Sequence, residues 1–272
     1  MQSGNIEKMT TQLQDPVEYA LPIGDDNLPM NQFLDRALRL TYSGEIHCIA
    51  CGTKTKKSFS QGYCYRCSQR LAQCDMCIVK PETCHYHLGT CREPEWGEQH
   101  CMIPHYVYLA NSSGLKVGIT RASQVPTRWI DQGAVQAMPI LKVQTRRQSG
   151  LMETAIKQYV ADKTNWRAML KGDAVELDLA CERDTLLEHI GDAMHAVNEQ
   201  FGEGAVEIVD EPAVDITYPV LTYPTKIKSF NLDKDPEARG ILQGIKGQYL
   251  IFDTGVINLR KYTGYHLTVQ AD

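Results

Sequence analysis

The sequence predicts an α+β protein, and three observations carry that expectation. Nine of its ten cysteines fall between positions 48 and 101. The stretch from His105 to Val160 alternates short β-rich runs with helical ones. From Val206 onward, β-branched and tyrosine-rich runs recur between prolines and glycines. At 272 residues the chain can hold two or three small domains, or one core with attached modules. The expected divisions are a β-rich segment at 1–47, a cysteine-rich module at 48–101, an α/β domain with a following helix at 102–204, and a β-rich domain at 205–272.

Residues 1–16 lack periodicity and read as loose surface chain. Residues 19–23 and 38–42 read as strands, with Asp25-Asp26-Asn27 turning between them. Asn31 is placed to cap a short helix through Leu38, since Phe33, Leu34, Ala37 and Leu38 recur at helical spacing. The phrase LRLTYSGEIHC runs into the first cysteine pair, and a similar phrase, LRKYTGYHL, stands near the C-terminus. Gly44 and Gly264 mark where these two strands must bend.

Cys48-x2-Cys51-x12-Cys64-x2-Cys67 is the strongest motif. Two such knuckles place four thiolates around one tetrahedral ion, and the spacer returns as a hairpin. Zinc in a closed, structural site is the expectation, with an iron–sulfur cluster as the competitor. A second group follows: Cys74, Cys77, Cys84, His85, His87, Cys91, His100 and Cys101. Cys74, Cys77, Cys84 and Cys91 are the expected ligands of a second zinc, with His85, His87 or Cys101 able to replace Cys84 or Cys91. So little apolar material would fold poorly without metal.

In the middle, residues 106–109 and 115–119 read as a hairpin around Asn111-Ser112-Ser113-Gly114. Pro126 opens a helix carrying Arg128 and Trp129. Residues 138–143 form a third strand. Gly150 then leads into a helix with Glu153 in its first turn, at the edge of an apolar stripe and about 20° from Val160 on the wheel. A carboxylate there must be paired, hydrated or bound to a cation. Hairpin, arginine helix, strand and glutamate helix in this order resemble the GIY-YIG nuclease superfamily over roughly residues 104–170. Val107-Tyr108 stands for the end of the first signature and Lys116-Val117-Gly118 for the second, in which Lys116 replaces a tyrosine.

The resemblance implies metal-dependent cleavage of nucleic-acid phosphodiesters, with Tyr108, Lys116, Arg128 and Glu153 as site residues and Mg or Mn at Glu153. Arg128 could neutralise phosphate charge, and Tyr108 could position water or phosphate. Lys116 could serve as a base only with a much lowered pKa, and is otherwise a phosphate contact. The competing readings are a helix arginine on the surface, a buried sheet tyrosine, and a glutamate facing its own helix dipole.

After Lys171 the chain turns acidic. Residues 180–201 read as one amphipathic helix with Leu186, Leu187, Ile190, Met194, Val197 and Phe201 inward. His189 and His195 read as surface or packing residues, and Cys181 as a core thiol. Residues 240–247, 248–254, 256–262 and 265–270 read as a small antiparallel barrel or meander, closing with the N-terminal strands.

A net charge of −5 hides a polarised chain. Residues 45–80 hold six Lys/Arg against two Asp/Glu, and residues 102–171 hold ten against three. Residues 172–272 hold eight against eighteen. The basic middle suits a phosphate backbone, DNA or RNA, through Lys54, Lys56, Lys57, Arg66, Arg121, Arg146 and Arg147. Tyr63 or Tyr65 could stack on a base. The acidic C-terminal region is a candidate surface for a protein partner. No apolar run approaches a membrane span, and the start lacks a signal-peptide core, so the cytoplasm is the expected location.

The whole layout is also similar to an uncharacterised bacterial domain family with a zinc-cysteine front, a GIY-YIG-like core and a β-rich tail. The phrases QGYC, CDMC, KPETCH, TCREPEWGE, LKVGITR and RWIDQGA carry that similarity across residues 16–270. It implies no reaction. Three functions follow: a nucleic-acid-binding nuclease, a non-catalytic zinc protein docking on tRNA, ribosome or other RNA, and a protein–protein adaptor.

Overall fold

The computed structural model describes residues 1–271. Strand β1 (Gln2–Asn5) precedes a small antiparallel sheet of β2 (Thr10–Gln12), β3 (Glu18–Ile23) and β4 (Asp26–Pro29). In β3 the alternating Tyr19, Leu21 and Ile23 point inward, the period-two pattern of a half-buried strand. The long β5 (Ala37–His47) follows. The helix expected over residues 31–38 is a single 3-10 turn at Asn31–Phe33. Asn31 does not cap it. Its side chain instead accepts from the Tyr19 N–H and donates to the Val17 carbonyl, binding the turn to the strand.

The cysteine-rich region has little regular structure. Strand β6 (Lys54–Thr55) pairs with the end of β5, and two short helices, α1 (Tyr65–Arg70) and α2 (Pro94–His100), stand among 3-10 turns.

The central segment runs through β7 (His105–Asn111), β8 (Leu115–Arg121), α3 (Thr127–Asp131), β9 (Gln136–Val143) and α4 (Arg146–Ile156). Strand β7 lies between β8 and β9, antiparallel to both. Helix α4 starts one turn earlier than the sequence suggested. A capping box joins Thr145 and Gln148 at its N-terminus, which puts Glu153 well inside the helix rather than in its first turn. After α5 (Trp166–Lys171), the single helix expected over 180–201 is two. α6 (Leu179–His189) and α7 (Gly191–Phe201) meet at Ile190, and Gly191 begins the second. Cys181, expected in the core, is exposed.

Two edge strands, β10 (Val206–Ile208) and β11 (Val214–Asp215), both pair with β9. The C-terminal strands are β12 (Glu237–Lys246), β13 (Tyr249–Phe252), β14 (Gly255–Asn258) and β15 (Tyr265–Ala271). Residues Leu259–Tyr262, expected to be strand, form a 3-10 turn. These strands join the N-terminal ones in the order β1-β15-β5-β12-β13-β14, so the two chain ends do pair.

The expected barrel does not close among the described residues, because both free edges are covered by other chain. Beside β1, Gly4 packs so tightly on the β3–β4 turn that a Cβ there would fall 2.5 Å from the Gly24 nitrogen. Beside β14, Val256 donates to the Lys228 carbonyl and accepts from the Phe230 N–H. A covered edge needs no strand partner.

Period-two alternation in β7 sets the layers. Val107 and Leu109 face a cluster with Met152 and Ile156 of α4, Leu186 of α6 and Val197 of α7. Tyr108 and Ala110 face the opposite cluster, shared with Trp129, Leu21, Leu40, Ile245 and Leu267. One core therefore joins the N-terminal, central and C-terminal segments. Asp131 pins the same junction, accepting from Lys8 at 2.7 Å and from Gln248 Nε2 at 2.8 Å. No helix among the described residues is long and apolar enough to cross a membrane.

Candidate functional site

Cys48, Cys51, Cys64 and Cys67 bring one sulfur each to within 4.8 Å of the others. The turn after β5 supplies the first pair. Cys64 caps α1 through the Cys67 N–H, and so the helix start fixes the second pair. Burial opposes ionisation of Cys48, but the backbone N–H groups around it outweigh burial and lower its pKa. Thr53 lowers Cys51 to about 6. Cys67, hydrogen-bonded to Cys51 and Cys64, is raised to about 12. Four thiolates at this spacing repel one another unless a cation sits between them. Chemistry and geometry thus fit one metal ion, and the four-sulfur donor set is that of a structural zinc site.

The second group is arranged differently from the expected set. Cys77, Cys84, Cys91 and Cys101 line one small cavity together with Asp75, His85, Arg92, Trp96 and Gly97. Cys74 is not among its walls. It neighbours Ser60 and Cys48 instead, and burial raises its pKa. Asp75, Cys77 and His85 also approach within 4.8 Å of one another, so a second metal could be held here. His87, the other histidine considered, instead meets Arg147 at 3.2 Å.

On the central domain the four residues expected at a reaction centre converge at the β8 edge of the sheet. Tyr108 lies opposite Gly118 in the β7–β8 register. A Cβ at position 118 would fall 2.5 Å from the Tyr108 hydroxyl, so glycine there makes room for the ring. The hydroxyl donates to Gln132 Oε1 at 3.0 Å. Lys116 Nζ donates to that same oxygen and to Thr164 Oγ1. Burial raises the Tyr108 pKa, and the adjacent Arg128 guanidinium opposes the shift. Burial lowers Lys116 to about 8, and Arg128 adds to the effect. Glu153 is raised by burial, against the pull of Lys157 at 3.2 Å. Lys157 also reaches Asp162, at 3.3 Å.

Sequence reasoning missed several partners here. Gln132 follows α3 directly and lay within a quoted phrase, but its type gave no signal. Asp162 and Thr164 come from the irregular segment after α4, whose Ala161 bonds to Val117 of β8. Arg260 comes from the 3-10 turn between β14 and β15. Burial lowers its pKa, with Arg128 next in effect, and it donates to Gln61 of the zinc spacer at 2.8 Å.

The expected basic contacts divide in two. Lys54, Lys56, Lys57 and Arg66 are exposed, with Lys54 paired to Glu45 and Lys57 over the Phe59 ring at 5.5 Å. Tyr65 is exposed as well. Arg146 turns inward and donates to the Ile78 carbonyl at 2.6 Å. Arg147 packs over Phe201, and Arg121 is half-buried. These three serve contacts between modules more than an open surface.

No curated protein and no solved structure gives a significant match to the chain. A family model described as "Protein of unknown function (DUF2797)" matches residues 35–267, which takes in the cysteine-rich module, the central site and most of the C-terminal sheet. The chain belongs to that family.

Proposed function

We propose that this protein binds nucleic acid across its zinc module and GIY-YIG-like central domain, and that the central site cleaves phosphodiesters slowly with a divalent ion. The observation that carries the reading is the convergence of Tyr108, Lys116, Arg128 and Glu153 on one sheet edge. Arg128 and Lys116 offer cationic contacts to a non-bridging phosphate oxygen, and Arg260 adds a third from the 3-10 turn between β14 and β15. Tyr108 and Gln132 can orient a water. Glu153, with Asp162 nearby, would hold Mg or Mn, which tolerates few protein ligands and keeps its waters.

A second reading, docking on structured RNA without chemistry, draws on two observations. Lys116 replaces the signature tyrosine, and Lys157 already compensates the Glu153 charge. A charged lysine next to the ion would repel it.

A single-turnover assay on labelled DNA and RNA with Mg or Mn separates the readings. Slow nicking that Glu153→Gln abolishes, and that Lys116→Tyr accelerates, is the expected result. Salt-sensitive binding with no cleavage by any of the three proteins selects RNA docking. Fast cleavage that survives Glu153→Gln removes this site from consideration.

A further inference from the structure

We propose that Cys77, Cys84, Cys91 and Cys101 hold a second zinc ion, with Cys101 in the place that local spacing assigns to Cys74. All four residues line one cavity, and no other cysteine does. Cys84 neighbours Cys77, and Cys101 lies near both Cys84 and Cys91. The Tyr86 N–H points at the Cys84 sulfur, the i+2 contact that stabilises a thiolate in a metal knuckle. Gly97 leaves room beside Cys91, since a Cβ there would come within 3.3 Å of its sulfur. All ten thiols are free, so no disulfide competes for them.

The surroundings call for an anion. Arg146 turns inward, its Nε has no hydrogen-bond partner, and among the described residues no carboxylate forms an ion pair with it, Glu153 acting on it only at longer range. Its guanidinium faces Cys101 and Cys77. Four neutral thiols would leave this inward-facing cation without a counter-ion in direct contact, which is costly. Four thiolates on one Zn²⁺ carry a net charge of about −2, which supplies the missing counter-charge. Asp75 and His85 are poorer ligands although they lie close. The Asp75 carboxylate is held by Arg92 at 2.6 Å and accepts from the Cys77 N–H, and His85 Nε2 faces that same carboxylate at 3.7 Å.

The site would also brace the central domain. Arg146 is the first residue of α4 and donates to Ile78, next to Cys77. One turn on, a Cβ at Gly150 would fall 2.3 Å from the Glu82 nitrogen, so the Pro81–Glu82 backbone lies directly on the helix. Helix α4 carries Glu153. A metal at Cys77 and Cys84 fixes the segment between them, and that segment fixes α4.

Metal content tests this site independently of nucleic-acid binding. Full-length protein purified without added metal should contain two zinc ions per chain by elemental analysis. Cys101→Ser should retain one and Cys74→Ser should retain two, as should Asp75→Asn and His85→Gln. Retention of two ions by Cys101→Ser, or loss of one by Cys74→Ser, overturns the ligand set. If Cys101→Ser does not fold, X-ray absorption of the native protein decides, with an average of four sulfur neighbours per zinc expected. Nitrogen or oxygen in the first shell at half of the zinc, iron in place of zinc, or only one zinc per chain overturns the assignment.

Discussion

Lys116 and Lys246 are both buried, and burial lowers each to about 8, yet they stand in opposite kinds of surroundings. Lys116 has polar partners in Gln132 and Thr164, with Arg128 and Glu153 beside it. Lys246 Nζ has no hydrogen-bond partner and lies 5.3 Å from the ring centres of Tyr218 and Tyr223. Desolvation alone explains the lowered pKa of Lys246, so a shifted lysine does not by itself mark a site. What distinguishes Lys116 is its company. An acid, an arginine, a tyrosine and an amide meet around it, and the strand carrying it lies at a sheet edge.

The largest effect that would sharpen this contrast belongs to Lys246. Below pH 8 the amine is protonated in both folded and unfolded chains, and the folded state bears the whole desolvation cost. Between about 8 and 10.5 the unfolded chain binds more protons, so this group's contribution makes stability rise with pH. Lys246→Met removes the cost, and the expected gain at neutral pH is up to about 3 kcal/mol. Denaturant unfolding of both proteins from pH 7 to 10 checks it. The gap should narrow as pH rises, and a destabilised variant at pH 7 would mean that Lys246 has a partner that matters.

The second effect concerns the space around Tyr108. Gly118→Ala pushes a methyl into a ring that is fully buried and hydrogen-bonded to Gln132. A cost of about 1–3 kcal/mol is expected. Combined with Tyr108→Leu, the same change should add almost nothing, because the atoms it meets are gone. Full additivity in unfolding experiments would show that Gly118 answers to something other than the tyrosine.

These same residues show what the sequence could and could not reveal. Cys48, Cys51, Cys64 and Cys67 were legible because two short spacings nearly determine the cluster. The hairpin over residues 106–119 was legible, but its register was not: Asn111 pairs with Leu115, so the loop has three residues rather than four, and this sets Tyr108 opposite Gly118. Cys74 is a different case. Its x2 spacing to Cys77 looks like a knuckle, but Asp75 between them caps the next 3-10 turn, and Cys74 does not line the cavity that Cys77 lines. Closure of the terminal strands depends on which chain covers β1 and β14, and no local pattern encodes that. Gln132, Asp162, Thr164 and Arg260 were invisible because ordinary polar residues acquire meaning only from tertiary neighbours. Glu153 was placed one turn too near the helix start because the Thr145–Gln148 capping box went unread.

The smallest effect, and the most informative about the site, is a pair of opposite pH slopes at Lys116. A phosphate beside the ammonium stabilises its charged form, so binding should raise the Lys116 pKa and take up protons near pH 8. The sign follows directly. Affinity for a short RNA or DNA duplex should weaken as pH rises through about 8, where free protein loses this charge. The expected loss is a few-fold, roughly 1 kcal/mol for one phosphate contact. Lys116→Met should bind less tightly at pH 7 and show no such slope, whereas Lys246→Met should behave like the native protein. If Lys116 is also the base, the single-turnover rate at saturating substrate should rise with pH, through a pKa moved above 8 by the bound phosphate. Binding that weakens while chemistry quickens therefore assigns both roles to one amine. Binding that weakens with no chemistry makes it a phosphate contact, and a flat binding profile in the native protein would place the nucleic acid somewhere other than this edge.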